Sequence, residues 1–97
     1  MPMTVVVTRD VPGRTRGFLA SVMPEPAPGV YTAAELSKGV RERIWAVLSG
    51  WYQAKGEAGS VVMVWRDPAA PGGLGILTLG TPPRRVADLD GVLVSVW

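Results

Sequence analysis

The 97-residue sequence contains neither cysteine nor histidine. Without cysteine there are no disulfide bonds, no thiolate metal sites and no cysteine nucleophile. Without histidine there is no serine–histidine catalysis, no imidazole ligand for zinc and no switch based on imidazole protonation. Any general base must therefore be a carboxylate, or a lysine or tyrosine with a perturbed pKa.

Long apolar runs are also absent. The first run is only Val5–Val7, and nothing approaches the ~18 apolar residues that a membrane-spanning helix needs. The opening Met1-Pro2-Met3 lacks the basic leader of a signal peptide. We therefore expect a cytoplasmic protein that makes no contact with membranes.

The chain is nevertheless apolar for its size, with 47% hydrophobic residues and a mean hydropathy of +0.23. A chain of this length allows one domain. It buries only ~60–65% of the surface that the unfolded chain exposes. So much apolar sequence with so little interior indicates contacts between subunits.

Short apolar, β-branched runs bounded by glycine and proline predict strands. Gly75 lies inside one of these runs and suggests a β-bulge, and Asp90-Gly91 predicts a hairpin turn. The proline-rich Pro24–Gly29 can be neither helical nor a central strand. The predicted strands are Met3–Thr8, Gly29–Tyr31, Ser60–Arg66, Leu74–Leu79 and Val92–Trp97.

Apolar residues at helical spacing predict two helices. The first runs over Arg14–Met23 and has Phe18, Leu19, Val22 and Met23 as its apolar residues. The second follows a capping box, Thr32–Glu35, and its apolar stripe ends at Trp51. The order β-α-β-α-β-β with a further C-terminal strand predicts an α+β, ferredoxin-like sandwich. Both helices would cover one face of a small, mostly antiparallel sheet.

Arginine dominates the positive charge, with eight of the ten cations. Arginine suits bidentate contacts with phosphate better than lysine does. Arg14 and Arg16 lie between a strand end and a helix start, where the helix N-terminus favours anions. Arg84 and Arg85 follow two prolines that restrict their loop. We predict that these four arginines bind phosphate; the alternatives are solvated turns, or pairing of Arg14 and Arg16 with Asp10.

Asp10 follows the first predicted strand and is a candidate Mg²⁺ ligand and catalytic carboxylate, especially if a twofold axis pairs two copies. The neighbouring arginines oppose metal loading, and a turn role is the alternative. A Mg²⁺-dependent endonuclease is thus a second functional hypothesis. A ferredoxin-like module that binds another protein and no nucleic acid is a third. Core packing is the better interpretation of Trp51 and Trp65, and Trp97 is better suited to contact another chain.

Five segments in register resemble one family along nearly the whole chain. The chain resembles the second CRISPR-associated protein in its subtype I-E form. The segments are MTVVVTRDVPGRTRG at 3–17, GVY at 29–31, RERIW at 41–45, VVMVW at 61–65 and DLDG at 88–91.

The resemblance implies a ferredoxin-like homodimer at the centre of the spacer-acquisition complex. The dimer would bind the backbone of double-stranded prespacer DNA and bridge dimers of the integrase subunit, the first CRISPR-associated protein. This scaffold role requires no cofactor, and magnesium would matter only for a nuclease. Arg14 and Arg16 match the family's V-P-x-R-x-R loop, and Arg84 and Arg85 match a basic pair that also contacts DNA.

The C-terminal segment is implied to contact the integrase subunit. We therefore expect residues 1–80 to form the ferredoxin-like domain and residues 81–97 a basic loop and strand for this partner. Relatives of subtype I-E carry a glutamate where this chain has Arg9, a departure that favours a scaffold over a nuclease. The residues expected to contact the partner are Val92, Val94, Val96 and Trp97.

Overall fold

The structure, a computed structural model, describes residues 2–55, 58–80 and 85–96, without the side chains of residues 54, 55 and 85. Six strands, two α-helices and a short 3₁₀ segment lie in these ranges. They are β1 (Thr4–Arg9), α1 (Gly13–Val22), β2 (Val30–Ala33), α2 (Lys38–Lys55), β3 (Ser60–Arg66), the 3₁₀ segment (Pro71–Gly73), β4 (Leu74–Gly80), β5 (Arg85–Leu89) and β6 (Val92–Val96).

A four-stranded antiparallel sheet of order β2-β1-β3-β4 forms the centre of the fold. This arrangement confirms the predicted α+β, ferredoxin-like class. A hairpin would usually precede β2, but the proline-rich segment leaves a single bridge between Ala27 and Val30. The fourth strand, β4, instead joins β3 at the opposite edge.

Both helices pack on one face of this sheet. Register places Val6 of β1 beside Tyr31 of β2 and Met63 of β3, and all three side chains are fully buried. Because side chains of a strand alternate between faces, these residues share the face that the helices cover. The buried core consists of Val6, Leu19, Met23, Tyr31, Leu36, Ile44, Leu48, Val61 and Met63.

The other face of the sheet is apolar and partly exposed. Register places Val5, Val64 and Ile76 side by side on three strands. Val7 is 44% exposed and Ile76 37%. We call this surface the open sheet face. It is formed by Val5, Val7, Val62, Val64, Leu74 and Ile76.

The predicted capping box is wrong, because Thr32 belongs to β2 and pairs with Val5. α2 begins only at Lys38, after Ser37. The Ser37 hydroxyl accepts a hydrogen bond from the Val40 N–H at 3.2 Å and caps the helix instead. Pairing with the central strand thus outweighs the local capping signal.

Two further details differ from the sequence-based expectation. Val22 is 41% exposed at the last residue of α1, whereas Met23 directly after the helix is buried. Gly75 forms no bulge, because the register of β3 with β4 runs through it without interruption. A Cβ at Gly75 would collide with the indole of Trp65, the residue directly opposite. The glycine therefore makes room for this ring.

The C-terminal segment contains an additional strand. The sequence predicts a basic loop that ends at Arg85 and no strand before the Asp90-Gly91 turn, but Arg85–Leu89 form β5 and pair with β6. The Asp90-Gly91 hairpin turn is confirmed, with φ values of 52° and 84° that fit a two-residue type I′ turn. The Asp88 carboxylate accepts a hydrogen bond from the Gly91 N–H at 2.9 Å. Asp88 and Asp90 therefore serve the turn.

Within the described ranges, no helix combines the length and the apolar character that crossing a membrane requires.

Tyr31 connects the sheet to the start of α1, because its hydroxyl donates to the carbonyl of Arg16 at 3.5 Å. Burial raises the pKa of this phenol above 10.0, and the nearby Glu25 carboxylate acts in the same direction. The unfolded chain releases the proton at lower pH than the folded chain. The contribution of the neutral phenol to stability is therefore complete below pH 10 and decreases as the pH rises further.

We expect Tyr31→Phe to flatten the decline of the melting temperature above pH 10, because this variant has no phenol to ionise. Thermal melts followed by circular dichroism across this pH range measure the effect. Tyr52→Phe is the control, since the Tyr52 hydroxyl is bonded to the Ala58 carbonyl at the surface. An equally steep decline in both variants would contradict the role of Tyr31.

Candidate nucleic-acid interface

The predicted DNA-binding arginines Arg14 and Arg16 lie in the first turn of α1. Pro12 is the extended N-cap residue, and its carbonyl accepts hydrogen bonds from the N–H groups of Thr15 at 3.1 Å and Arg16 at 3.2 Å. The first turn contains no acidic residue. Both arginines therefore belong to the turn at the positive end of the helix dipole, where an anion is stabilised.

Burial of Thr15 determines how this turn faces solvent. Thr15 is fully buried, whereas its neighbours Arg14 and Arg16 are exposed. Successive residues of a helix differ by about 100° in direction. An inward Thr15 therefore places an arginine on each of its flanks, and both can reach a ligand in solvent.

A tryptophan of α2 orients one of these arginines. The Arg14 guanidinium carbon lies 4.3 Å from the ring centroid of Trp51, a cation–π distance. Phe18 packs against Trp51 edge to face, with ring centroids 5.5 Å apart and an interplanar angle of 76°. The stack restricts the guanidinium plane before any ligand binds.

Three strand ends meet beside this turn. Register aligns Arg9 of β1 with Ser60 of β3, and Ser60 with Gly80 of β4. A Cβ at Gly59 would collide with the carbonyl oxygens of Arg9 and Asp10, so the backbones approach closely. Gly80, the last residue of β4, therefore lies at the same end of the sheet as Arg9.

The second basic element is described only in part. Arg84 lies outside the described residues, and the structure gives the backbone of Arg85 alone, as the first residue of β5. The start of this loop at Gly80 is adjacent to the Arg9–Asp10 turn through Gly59. DNA binding by Arg84 and Arg85 stays a prediction.

Asp10 reverses the chain after β1. Its φ of 55° is left-handed, a conformation that aspartate tolerates better than most residues. Its side chain is exposed. Among the described residues, no group of three or more histidine, cysteine, aspartate or glutamate side chains could hold a metal ion. Asp10 is a single exposed carboxylate outside any such group, and the described residues of one chain do not fit a metal ion.

The strand predicted to contact a partner has an apolar, exposed side. Leu93 faces the 3₁₀ segment, because a Cβ at Gly72 would collide with its side chain. Val92, Val94 and Val96 alternate with it and lie on the other side of β6. Val92 is 62% exposed, and Leu89, directly opposite it, is 59% exposed. Trp97 lies outside the described residues.

Sequence reasoning missed the arginine–tryptophan stacks. The sequence favours core packing for Trp51 and Trp65, and both pack against the buried core. They are nevertheless only half-buried, and each also lies beneath an arginine. One signal was present. Arg41 falls on the apolar stripe of α2, one turn before Ile44 and two before Leu48. A cation at such a position indicates a buried charge with a dedicated contact.

Comparison with protein families gives a match over nearly the whole chain. A family model described as CRISPR-associated protein (Cas_Cas2CT1978) matches residues 3–94. The match extends from the first strand to the hairpin and includes both helices. The chain therefore belongs to this CRISPR-associated family.

Proposed function

We propose that the protein is a homodimeric structural subunit of CRISPR spacer acquisition. It holds double-stranded prespacer DNA by its backbone and bridges the integrase subunits. The observation that carries this proposal is the pair of exposed arginines, Arg14 and Arg16, at the positive end of α1, with one guanidinium stacked on Trp51. Membership of the CRISPR-associated family is consistent with it.

Phosphate recognition follows from the chemistry of this turn. Guanidinium groups form short, charge-assisted hydrogen bonds with phosphate oxygens. Contacts of this kind position a duplex without reading its bases, so the sequence preference is slight. The stack of Arg14 on Trp51 reduces the ordering that binding requires.

The open sheet face supports dimerisation. Val5, Val64 and Ile76 form a continuous apolar row across three strands. Apolar patches rimmed by polar residues commonly mark protein–protein contacts. Pairing two such faces buries this surface and doubles the number of arginines available to one duplex.

The outer side of β6 supports the contact with the integrase subunit. Val92, Val94 and Val96 present apolar side chains there, and Val92 is among the most exposed apolar residues. We assign Val92, Val94, Val96 and Trp97 to this contact.

The alternative, Mg²⁺-dependent cleavage of nucleic acid through Asp10, has one exposed carboxylate per chain in its favour. It requires that two chains bring their Asp10 side chains together. The scaffold function needs no such arrangement and no cofactor.

Removing both cations in Arg14→Gln, Arg16→Gln should weaken duplex binding and its salt dependence together. Each phosphate bound by a cation contributes about −0.9 to the slope of log K against log salt. A dimer without these two arginines in either chain should therefore show a slope that is shallower by about 3 to 4. Fluorescence anisotropy with a short labelled duplex at several salt concentrations measures both quantities.

Two further variants serve as a control for this experiment and as a test of the nuclease alternative. Arg43→Gln removes an exposed cation of α2 and should leave the slope unchanged. Asp10→Ala should bind DNA at least as tightly as the wild type, because it removes an anion from the turn. An unchanged slope in the double variant would contradict the interface. Mg²⁺-dependent cleavage that is present in the wild type and abolished in Asp10→Ala would favour the nuclease.

Replacing the stacking partner should weaken DNA binding without changing the charge. We expect Trp51→Leu to lower affinity about two- to five-fold, the equivalent of an exposed cation–π contact, at an unaltered salt slope. Trp51→Phe keeps an aromatic ring and should retain most of the affinity. Anisotropy at fixed salt, with circular dichroism melts of each variant, gives the measurement. Trp51→Leu that melts like the wild type and binds equally well would refute the positioning role.

A charge placed on the open sheet face should dissociate the dimer. Val7→Lys adds a cation to this face, and Val40→Lys is a matched control on α2, since the two valines are 44% and 42% exposed. We expect light scattering at micromolar concentration to find a monomer for Val7→Lys and a dimer for Val40→Lys and the wild type. A dimer in all three would place the interface elsewhere.

A further inference from the structure

A cleft lies at the end of the sheet opposite the Arg14–Arg16 turn. It has two adjoining cavities of about 750 and 450 Å³, within the usual size of small-molecule sites. We call it the α2 cleft, because the first two turns of α2 form one wall and the end of β3 the other. Lys38, Arg41, Trp65 and Asp67 line both cavities.

Arg41 is the central residue of the α2 cleft. It is only 9% exposed, and its guanidinium carbon lies 4.3 Å from the ring centroid of Trp65. The guanidinium group of Arg41 stacks on this ring. In the described part of the chain, no carboxylate lies within ion-pair distance of the group. Arginine stays charged inside a protein. Burying a charge without a counter-ion costs free energy, so binding of an anion beside Arg41 would be favourable.

The other charged residues of the α2 cleft also favour the binding of an anion. Lys38 and the exposed Arg66 line the larger cavity beside Arg41. The two carboxylates of the cleft already have partners. Asp67 accepts a hydrogen bond from the Ala69 N–H at 3.0 Å, and Glu42 lies 4.0 Å from the Lys38 ammonium. Three cations therefore line the cleft against two carboxylates, and Lys38 is shared between Glu42 and a ligand.

The smaller cavity has a different character. Trp45, Ala46 and Leu77 line it, together with the indole of Trp65. Aromatic and apolar walls of this kind suit a flat organic ring. The α2 cleft thus combines an anion site with an apolar lobe, and Arg41 lines both.

We propose that the α2 cleft binds a 5′-mononucleotide. Its phosphate contacts Arg41, Lys38 and Arg66, and its base enters the lobe lined by Trp45 and Leu77. Phosphate suits the site better than a carboxylate, because a dianion matches several neighbouring cations and planar guanidinium groups bind its oxygens bidentately. The site is separate from the Arg14–Arg16 turn and does not depend on the proposed DNA binding.

Isothermal titration of the full chain with adenosine 5′-monophosphate tests this inference. We expect saturable binding to the wild type and about ten-fold weaker binding to Lys38→Gln and to Arg66→Gln, since each variant has one charge-assisted hydrogen bond fewer. Arg43→Gln lies on the same helix outside the cleft and should bind like the wild type. Arg14→Gln, Arg16→Gln should also keep its affinity for the nucleotide.

Arg41→Gln should abolish the rise in melting temperature that the nucleotide causes in the wild type. If this buried replacement fails to fold, the exposed positions Lys38 and Arg66 decide the question. Adenosine and inorganic phosphate should each bind far more weakly than the nucleotide. The proposal would be overturned if the wild type showed no saturable binding, or if Lys38→Gln and Arg66→Gln bound the nucleotide as tightly as the wild type. It would also be overturned if adenosine or inorganic phosphate bound as tightly as the nucleotide.

Discussion

The end of β1, the start of β3 and the end of β4 meet with their backbones in direct contact, because glycines occupy the points of closest approach. Gly59 lies against the carbonyls of Arg9 and Asp10, and Gly80 packs in turn on the carbonyl of Gly59. A Cβ at Gly59 would separate these backbones, and its φ of 84° also favours glycine. The proposed DNA surface depends on this close approach, because it sets the chain reversal before α1 beside the start of the second basic loop.

The two faces of the sheet have different roles although both are apolar. One face buries Val6, Tyr31 and Met63 under two helices and provides the core. The other keeps Val7 and Ile76 more than one-third exposed. A domain of this size has only two helices with which to cover a four-stranded sheet, so the second face is available to another chain. Stability of the fold and the proposed assembly of subunits thus use opposite faces of the same strands.

An arginine–tryptophan stack, with the guanidinium carbon 4.3 Å from the ring centroid, lies near each end of α2. Near its C-terminal end, Trp51 supports the exposed Arg14 of α1. Near its N-terminal end, Arg41 is buried against Trp65. The same contact serves different purposes because burial differs: an exposed guanidinium gains orientation, whereas a buried one needs a counter-ion.

Local sequence patterns predicted the α+β class, the β3 boundaries, the Asp90-Gly91 turn and the position of Arg14 and Arg16. Alternation, helical spacing and turn dipeptides are short-range properties, and they suffice for these features. The predicted start of α2 is wrong because Thr32 pairs with Val5, far away in sequence. Local patterns miss β5, because the pairing with β6 that makes this segment a strand cannot be read from its own residues.

The arrangement of charges and rings was decided by the tertiary structure. The sequence determined that this protein works without thiols or imidazoles and that arginine carries most of its positive charge. Which arginine would be exposed and which buried depended on strand register and helix packing. Contacts such as Arg41 with Trp65 join residues that only the folded sheet brings together, and no local pattern encodes such a distance.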